Sequence, residues 1–247
     1  FFMIYFIIHS ICKLALFKRH RNEGCTMTEL HVWHNVDNYF TDKLLPDNSC
    51  LTAALLANKA AGIPEIDVSP TQGRFLYLLT KLKGAINVLE IGTLGGYSSI
   101  CLAQALSKEG KVVTLEINED YASVARKNIR HAGLEEKIEI IIGPALDTLP
   151  DLKKRGQFFD VIFIDADKPN NPEYLKWAVR LANSGAVIIA DNVVRNGAVT
   201  DINSMDERVS GVQQFIDLLK EEPRIEATAI QTVGVKGYDG FVLAIVN

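Results

Sequence analysis

The chain has 247 residues, 48% of them hydrophobic, and a formal net charge of −4 at pH 7. A chain of this length and apolar content is commonly one domain, and its acidic balance argues against bulk nucleic acid as a partner. The four cysteines are widely spaced, which indicates reduced thiols in a cytoplasmic setting and argues against a disulfide scaffold or a cysteine zinc site.

The beginning of the chain is an apolar segment. Residues 1–17 are mostly apolar, and the basic run Lys18-Arg19-His20-Arg21 follows them directly. A membrane span needs about 20 apolar residues, and a signal peptide carries its positive charge before the apolar run. Because Met27 would make an ordinary start, we interpret residues 1–26 as an upstream extension, with a membrane anchor as the alternative. Membrane contact is expected only if that anchor is real.

Helices are predicted in the first part of the remaining domain, which comprises residues 27–247. Three amphipathic segments follow one another between residues 27 and 84. The third starts at Ser69-Pro70, a pair typical of a helix N-cap followed by proline at the first helical position. The aromatic residues of these helices are expected mainly to pack, with a substrate pocket as the alternative use for some of them.

Strands and helices alternate over the rest of the chain, which predicts a doubly wound α/β sheet. The first strand starts at Val88, and the next four are predicted at 111–116, 137–142, 160–165 and 185–191. The helices are predicted near 100–106, 119–132, 147–154, 172–181 and 209–219. Two further strands, 225–232 and 241–246, flank a glycine-rich turn region at 234–240 and are expected to form a closing antiparallel hairpin.

A glycine-rich turn follows the first strand. The run Gly92-Thr93-Leu94-Gly95-Gly96 separates that strand from an amphipathic helix. Glycines allow close approach of a ligand to the backbone, and the start of a helix offers unpaired N–H groups. Leu94 breaks the G-x-G-x-x-G pattern of dinucleotide sites, so a smaller nucleoside cofactor is favoured over NAD. A turn without any ligand remains the alternative.

Acidic residues stand at four of the five strand ends, where open α/β sheets bind ligands. Glu116 is 24 positions after Gly92, the usual place for an acid that accepts hydrogen bonds from ribose hydroxyls. Asp165, Asp191 and Asn192 offer hard oxygen donors, which suit Mg²⁺, Mn²⁺ or Ca²⁺ rather than zinc. Asp-Asn at a strand end is also common turn chemistry, and both interpretations stay open.

Together these motifs resemble the cation-dependent, S-adenosylmethionine (SAM)-dependent O-methyltransferases, which include caffeoyl-CoA and catechol O-methyltransferases and bacterial relatives. The resemblance covers roughly residues 29–247. It rests on Val88–Ser99, Glu116, Gly143-Pro144-Ala145, Phe163–Lys168, Ala190–Val193 and Lys236–Phe241. It implies a Rossmann-like class I methyltransferase fold, with a doubly wound, mostly parallel seven-stranded sheet and a closing antiparallel hairpin. A homodimer is also implied.

The resemblance further implies roles for individual residues. Asp165, Asp191 and Asn192 would bind the divalent cation, with Mg²⁺ as the first expectation and Mn²⁺ or Ca²⁺ as alternatives. Lys168 would be the catalytic base beside Asp165, and Asn196 would lie near the substrate. The residues that would hold SAM are Val68, Glu90, Gly92, Thr93, Ser98, Glu116, Ala145 and Asp167.

The function implied by the resemblance is methyl transfer from SAM to a hydroxyl of a catechol-like small aromatic compound, such as a caffeoyl group or another vicinal diol. A phenolic hydroxyl has a pKa of about 10, so a cation that lowers this pKa and a base that removes the proton would both assist. One alternative is a methyltransferase that acts on a hydroxylated tRNA nucleoside. A second is a non-catalytic nucleotide-binding protein on the same fold.

Overall fold

The computed structural model describes residues 27–247. The apolar extension or anchor predicted at residues 1–26 lies outside this range. Within the described part of the chain, no helix combines the length and the apolarity that a membrane span requires.

One seven-stranded sheet forms the centre of the molecule, with the strand order β3-β2-β1-β4-β5-β7-β6. The first five strands are parallel, and β7 runs antiparallel between β5 and β6. The strands are β1 (Asn87–Ile91), β2 (Lys111–Glu116), β3 (Ile138–Ile142), β4 (Phe159–Ile164), β5 (Ala182–Asp191), β6 (Ile225–Gly234) and β7 (Gly237–Val246). The strand order reverses between β1 and β4: the chain builds the sheet outward from β1 on one side and from β4 on the other. Such folds bind ligands at this switch point. The predicted fold class is therefore confirmed.

Eight helices of the described chain cover the sheet and its edge. They are α1 (Met27–Leu44), α2 (Ser49–Ala60), α3 (Pro70–Lys83), α4 (Tyr97–Ala105), α5 (Glu119–His131), α6 (Ala145–Lys154), α7 (Asn171–Leu181) and α8 (Glu207–Glu221). Short 3-10 turns at Lys168–Asn170 and Arg195–Thr200 were not predicted. The N-cap prediction for α3 is confirmed, because the Ser69 hydroxyl accepts a hydrogen bond from the Gln72 N–H at 3.2 Å.

The core lies on both faces of the sheet. In β4, Ile162 and Ile164 pack under α6–α8, while Val161 and Phe163 pack under α2–α5. Full burial of such a side chain stabilises the fold by roughly 1.5–3 kcal/mol. β4 is therefore buried on both faces, and the core keeps the strand ends in fixed positions.

Two sequence expectations need correction. Of the aromatic residues in the first three helices, Trp33, Phe75 and Tyr77 are half-buried, whereas Tyr39 and Phe40 are exposed on α1, so the expectation of packing fails at these two residues. The glycine-rich region 234–240 is not a broad turn either. Gly234 pairs with Gly237, so only Val235 and Lys236 form the turn and the hairpin strands extend into the region.

Candidate active site

A cavity of about 730 Å³ opens beyond the carboxyl ends of the parallel strands, and we call it the strand-end cavity. It lies where the order of the strands reverses, between β1 and β4. Most of the predicted site residues line it, namely Val68, Gly92, Thr93, Ser98, Glu116, Ala145, Asp165, Asp167, Lys168 and Asn192. The structure therefore brings these residues together around one space, as the strand-end argument predicts.

The glycine turn after β1 serves contacts within the protein. Gly92 has a φ of 103°, and a Cβ atom there would lie 2.2 Å from the carbonyl oxygen of Asp165. A Cβ atom on Gly95 would collide with the side chain of Asn58. The sequence suggested that these glycines make room for a ligand. The structure shows that they also allow the turn to pack against β4 and α2.

Glu116 has a fixed carboxylate at the tip of β2. Its Oε2 accepts a hydrogen bond from the Leu94 N–H at 2.8 Å, and its Oε1 accepts one from the Asn118 N–H at 2.9 Å. The residue is 7% exposed, so Glu116 is not an ordinary solvent-exposed glutamate. A carboxylate has about four acceptor sites, and Glu116 therefore keeps capacity for hydroxyl donors from the cavity.

Glu90 lies beneath the strand-end cavity and is fully buried. Thr114, its partner in the β1–β2 register, donates a hydrogen bond to Oε2 at 2.7 Å, and Ser99 donates another to the same oxygen. Oε1 has no hydrogen-bond partner among residues 27–247. Burial raises the pKa of Glu90 to about 7, although the surrounding hydroxyls oppose that shift.

Asp165 and Lys168 form a partly buried ion pair at the end of β4. Lys168 Nζ donates to Asp165 Oδ1 at 3.0 Å, and the Lys168 side chain is only 7% exposed. The turn that carries Lys168 packs tightly against α8, since a Cβ atom on Gly211 would lie 2.3 Å from the Lys168 carbonyl oxygen. Lys168 is therefore a buried residue and not a screened surface lysine.

Asp167 is held on the other side of the same turn. The Tyr174 hydroxyl donates to its Oδ1 at 2.5 Å, and the Asn170 amide donates to its Oδ2 at 2.5 Å. Burial, and then this hydrogen bond, raise the pKa of Tyr174. Tyr174 also lines the strand-end cavity, and nothing in its helical sequence pattern distinguishes it from a core tyrosine.

Asp191 ends β5 and is almost fully buried. Gln72 Nε2 donates to its Oδ2 at 2.7 Å, and the Asn192 N–H donates to its Oδ1 at 2.8 Å. Burial raises the pKa of Asp191, and the negative charge of Asp165 raises it further. The contact with Gln72 joins residues 119 positions apart, and sequence analysis did not find it.

A second cavity of about 290 Å³ lies against the β6–β7 hairpin, and we call it the hairpin cavity. It is lined by Asp191 and shares Asn192 with the strand-end cavity. The rings of Phe75 and Phe241, which also line it, have centroids 5.0 Å apart. The predicted cation ligands thus stand where the two cavities meet.

The segment after Asn192 places a different residue at the cavity from the one predicted. Asn196 is exposed and lines neither of these two cavities, whereas Arg195 lines the strand-end cavity. The substrate role implied for Asn196 stays a prediction. Both residues have left-handed backbone conformations, with φ values of 56° for Arg195 and 54° for Asn196, which the sequence did not reveal.

No three His, Cys, Asp or Glu side chains gather around a common point in residues 27–247 closely enough to hold a metal ion. The predicted set differs from such a cluster because it consists of two carboxylates, Asp165 and Asp191, and the amide of Asn192.

The model of the O-methyltransferase family matches residues 47–245. The chain is 48% identical over 217 residues to a catechol O-methyltransferase of Niastella koreensis, a match that covers 87% of this chain and 98% of the relative. It is 49% identical over 213 residues to a catechol O-methyltransferase of Mycobacterium tuberculosis, covering 86% of this chain and 96% of the relative.

Solved structures are similar as well. An O-methyltransferase from Bacillus cereus in complex with SAH has a TM-score of 0.87 and 53% identity, covering 88% of this chain and all (100%) of that one. The O-methyltransferase TomG from Streptomyces achromogenes in complex with SAM has a TM-score of 0.87 and 45% identity, covering 90% and 100%. With the family model matching most of its length and relatives this similar, the chain belongs to the O-methyltransferase family.

Proposed function

We propose that the protein is a SAM-dependent O-methyltransferase that requires a divalent cation and methylates one hydroxyl of a small aromatic vicinal diol. The observation that carries the proposal is the meeting of Asp165, Asp191 and Asn192 between a nucleoside-sized cavity and a cavity walled by aromatic rings. The names of the two bacterial relatives, both catechol O-methyltransferases, support the same substrate class.

The cofactor end of the strand-end cavity comprises Gly92, Ser98, Glu116 and Ala145. Its size lies within the range of ligand pockets, and the fixed carboxylate of Glu116 suits the two hydroxyls of a ribose. SAM or SAH bound in the similar solved structures supports this assignment. Val68, Thr93 and Asp167 line the same space. Glu90 does not line it, and accepts hydrogen bonds from Ser99 and Thr114 beneath it.

The cation end comprises Asp165, Asp191 and Asn192. These residues fit a hard divalent cation, because two carboxylates whose charges repel each other stand beside an amide oxygen, with no soft ligand in the set. Mg²⁺ is expected first, with Mn²⁺ or Ca²⁺ as alternatives. When bound, the ion would lower the pKa of a catechol hydroxyl and hold both vicinal oxygens.

Lys168 is the proposed base for the acceptor hydroxyl. In the described structure its side chain donates a hydrogen bond to Asp165. The Lys168 amine must lose a proton before it can accept one from the acceptor hydroxyl. A role for Asp165 as a cation ligand would draw its carboxylate away from this pair. The burial of Lys168 keeps bulk water from competing for the proton.

The acceptor ring is proposed to lie in the hairpin cavity. Phe75 and Phe241 offer an aromatic wall, and the hairpin residues Val233 and Val235 add apolar surface. Aromatic side chains favour offset or edge contacts with another ring. Such a ring would have its hydroxyls near Asp191 and Asn192, beside the neighbouring cavity that is proposed to hold SAM. A homodimer and a cytoplasmic location stay predictions.

The test is a transfer assay with SAM that carries a labelled methyl group. Catechol, caffeate, a caffeoyl-CoA ester and bulk tRNA are offered separately, each with Mg²⁺ and with EDTA. We expect transfer to catechols with Mg²⁺, loss of transfer with EDTA, and recovery when Mg²⁺ is restored. Transfer that EDTA leaves intact contradicts the cation requirement. Transfer to tRNA alone would favour the nucleoside acceptor, and calorimetric SAM binding without any transfer would favour a binding protein.

A further inference from the structure

Asp67 lines the strand-end cavity from the segment between α2 and α3, next to Val68. The residue is half-buried, and its Oδ1 accepts a hydrogen bond from the Asn58 amide at 3.0 Å. Its own backbone N–H is a second donor. No basic side chain within residues 27–247 forms an ion pair with it. Asp67 therefore presents to the cavity a carboxylate that lacks an ion-pair partner in the described part of the chain.

A chain of buried amides holds Asp67 in this position. Asn58 on α2 is 2% exposed, and its Oδ1 accepts a hydrogen bond from Asn128 Nδ2 at 2.9 Å. Asn128 on α5 also donates to the Gly95 carbonyl oxygen at 2.8 Å. The amides thus join Asp67 to the glycine turn of the same cavity. A carboxylate fixed in this way loses little further freedom when it binds a ligand.

The other charges of the region leave Asp67 unbalanced. Each basic residue that lines the strand-end cavity faces a different carboxylate, namely Lys168 with Asp165, Arg195 with Asp239 and Arg208 with Asp206. Lys236 acts on Asp67 through space, and its amine donates to the Glu65 carbonyl oxygen at 2.9 Å. Burial raises the pKa of Asp67, and the negative charge of Asp165 adds to that effect. A positive group in the cavity would therefore be favourable beside Asp67.

The order of the strands brings the amino acid part of SAM toward Asp67. Ala145, expected on the adenine side, follows β3, and Glu116, expected at the ribose, ends β2. The cation end lies beyond β4 and β5, so the order β3-β2-β1-β4-β5 runs from adenine through ribose to the reacting methyl group. The amino acid part branches from the sulfur and would lie near the end of β1. There the side chain of Asn58 contacts both Gly95 and Asp67.

We propose that Asp67 binds the ammonium group on the amino acid part of SAM and of its demethylated product SAH. The inference rests on the proposed function and adds a cofactor-binding residue that the sequence motifs did not reveal. A hydrogen bond between an ammonium group and a carboxylate is stronger than one between neutral groups, and it gives Asp67 an ion-pair partner. The N–H groups at the start of α4, beside Ser98, suit the carboxylate of the same amino acid part.

The experiment compares SAH with deamino-SAH, in which a hydrogen atom replaces the ammonium group. Calorimetry measures the affinity of both ligands for the parent protein, for Asp67→Asn and for the matched control Asp217→Asn on the exposed face of α8. Asparagine keeps the shape of the side chain and an oxygen that can accept from Asn58. We expect Asp67→Asn to weaken SAH binding by roughly tenfold to a hundredfold and to leave deamino-SAH binding unchanged. Asp217→Asn should bind both ligands as the parent does.

Equal losses for both ligands in Asp67→Asn would overturn the inference, because they would show a structural role. Unchanged SAH binding in this variant would overturn it as well. Parent protein that binds deamino-SAH as tightly as SAH would do the same without any variant, while leaving the proposed function in place. Parent protein that binds neither SAM nor SAH would instead defeat the proposed function itself.

Discussion

The two ends of the active-site region hold their carboxylates in different ways. At the cofactor end, Glu116 stands alone and accepts two backbone N–H groups from nearby turns. At the cation end, Asp165 and Asp191 lie on adjacent strands, repel each other, and are held by the side chains of Lys168 and Gln72. A single buried carboxylate is thus held by neutral N–H donors alone. Where two carboxylates lie close together and repel each other, the positive charge of Lys168 stands beside them.

The largest effect is expected at the cation end, from Asp191→Ala. The substitution removes a proposed cation ligand, and the loss of several kcal/mol of catalytic stabilisation lowers kcat/KM for catechol by about 10³-fold or more. Calorimetry should show unchanged SAM affinity, because Asp191 does not line the cofactor end.

Glu116→Ala is the matched substitution at the other end. It should weaken SAM binding and leave cation affinity intact. If both substitutions changed both affinities equally, the division of the region into two ends would be wrong.

A smaller effect is expected from the pH dependence of stability. Burial raises the pKa of Glu90 from 4.5 to about 7, so its contribution to stability is complete below the lower value and is lost as pH rises through the higher one. The shift corresponds to about 3 kcal/mol. We expect the free energy of unfolding of the ligand-free protein to fall between these pH values, and Glu90→Gln to reduce the slope.

Urea unfolding at a series of pH values measures this slope. Glu139→Gln, on the exposed face of β3, is the control and should keep the slope of the parent. Asp191 also lowers the free energy of unfolding as pH rises, because its pKa is raised as well. The contribution of Glu90 is therefore taken as the difference between the variant and the parent at each pH. A variant as pH-sensitive as the parent would show that Glu90 does not titrate in this range.

The smallest effect is expected from Gln72→Leu. Gln72 does not belong to the proposed cation ligands, but its amide orients Asp191 at 2.7 Å. Loss of such a supporting hydrogen bond typically weakens metal affinity by about tenfold to a hundredfold, and we expect the lower end for Mn²⁺ binding measured by electron paramagnetic resonance. Gln214→Leu, on the exposed face of α8, should bind Mn²⁺ as the parent does. Unchanged binding in Gln72→Leu would show that the Asn192 N–H alone fixes Asp191.

The fold could be predicted largely because its signals are local. The buried run of β4 and the Ser69 cap each depend on a few consecutive residues, and the structure confirms both. The carboxyl ends of parallel strands also lie at one edge of the sheet. Asp165 could therefore be predicted to lie beside the glycine turn from the strand positions alone, and the two are in close contact.

The remaining features depend on contacts between distant segments. Gln72 reaches Asp191 only because α3 packs over the end of β5, and Arg195 faces the cavity because Asp239 on β7 holds its backbone. The broad turn expected at 234–240 failed for the same reason, since pairing with β6 extends β7 through most of that region. Sequence patterns give the elements, and the partners of their side chains emerge only in three dimensions.

The position of β7 has a consequence for how the protein is made. β7 lies between β5 and β6, and its Phe241 pairs with Asp191. During synthesis, the strands around the glycine turn emerge long before β7, and until then β5 has an unpaired edge beside the cation end. Strands that are far apart in the sequence pair slowly, and until they pair, their exposed edges can associate with other chains. The hairpin cavity, which β7 helps to line, is therefore completed late in folding, and a chain stalled before residue 237 is an aggregation hazard.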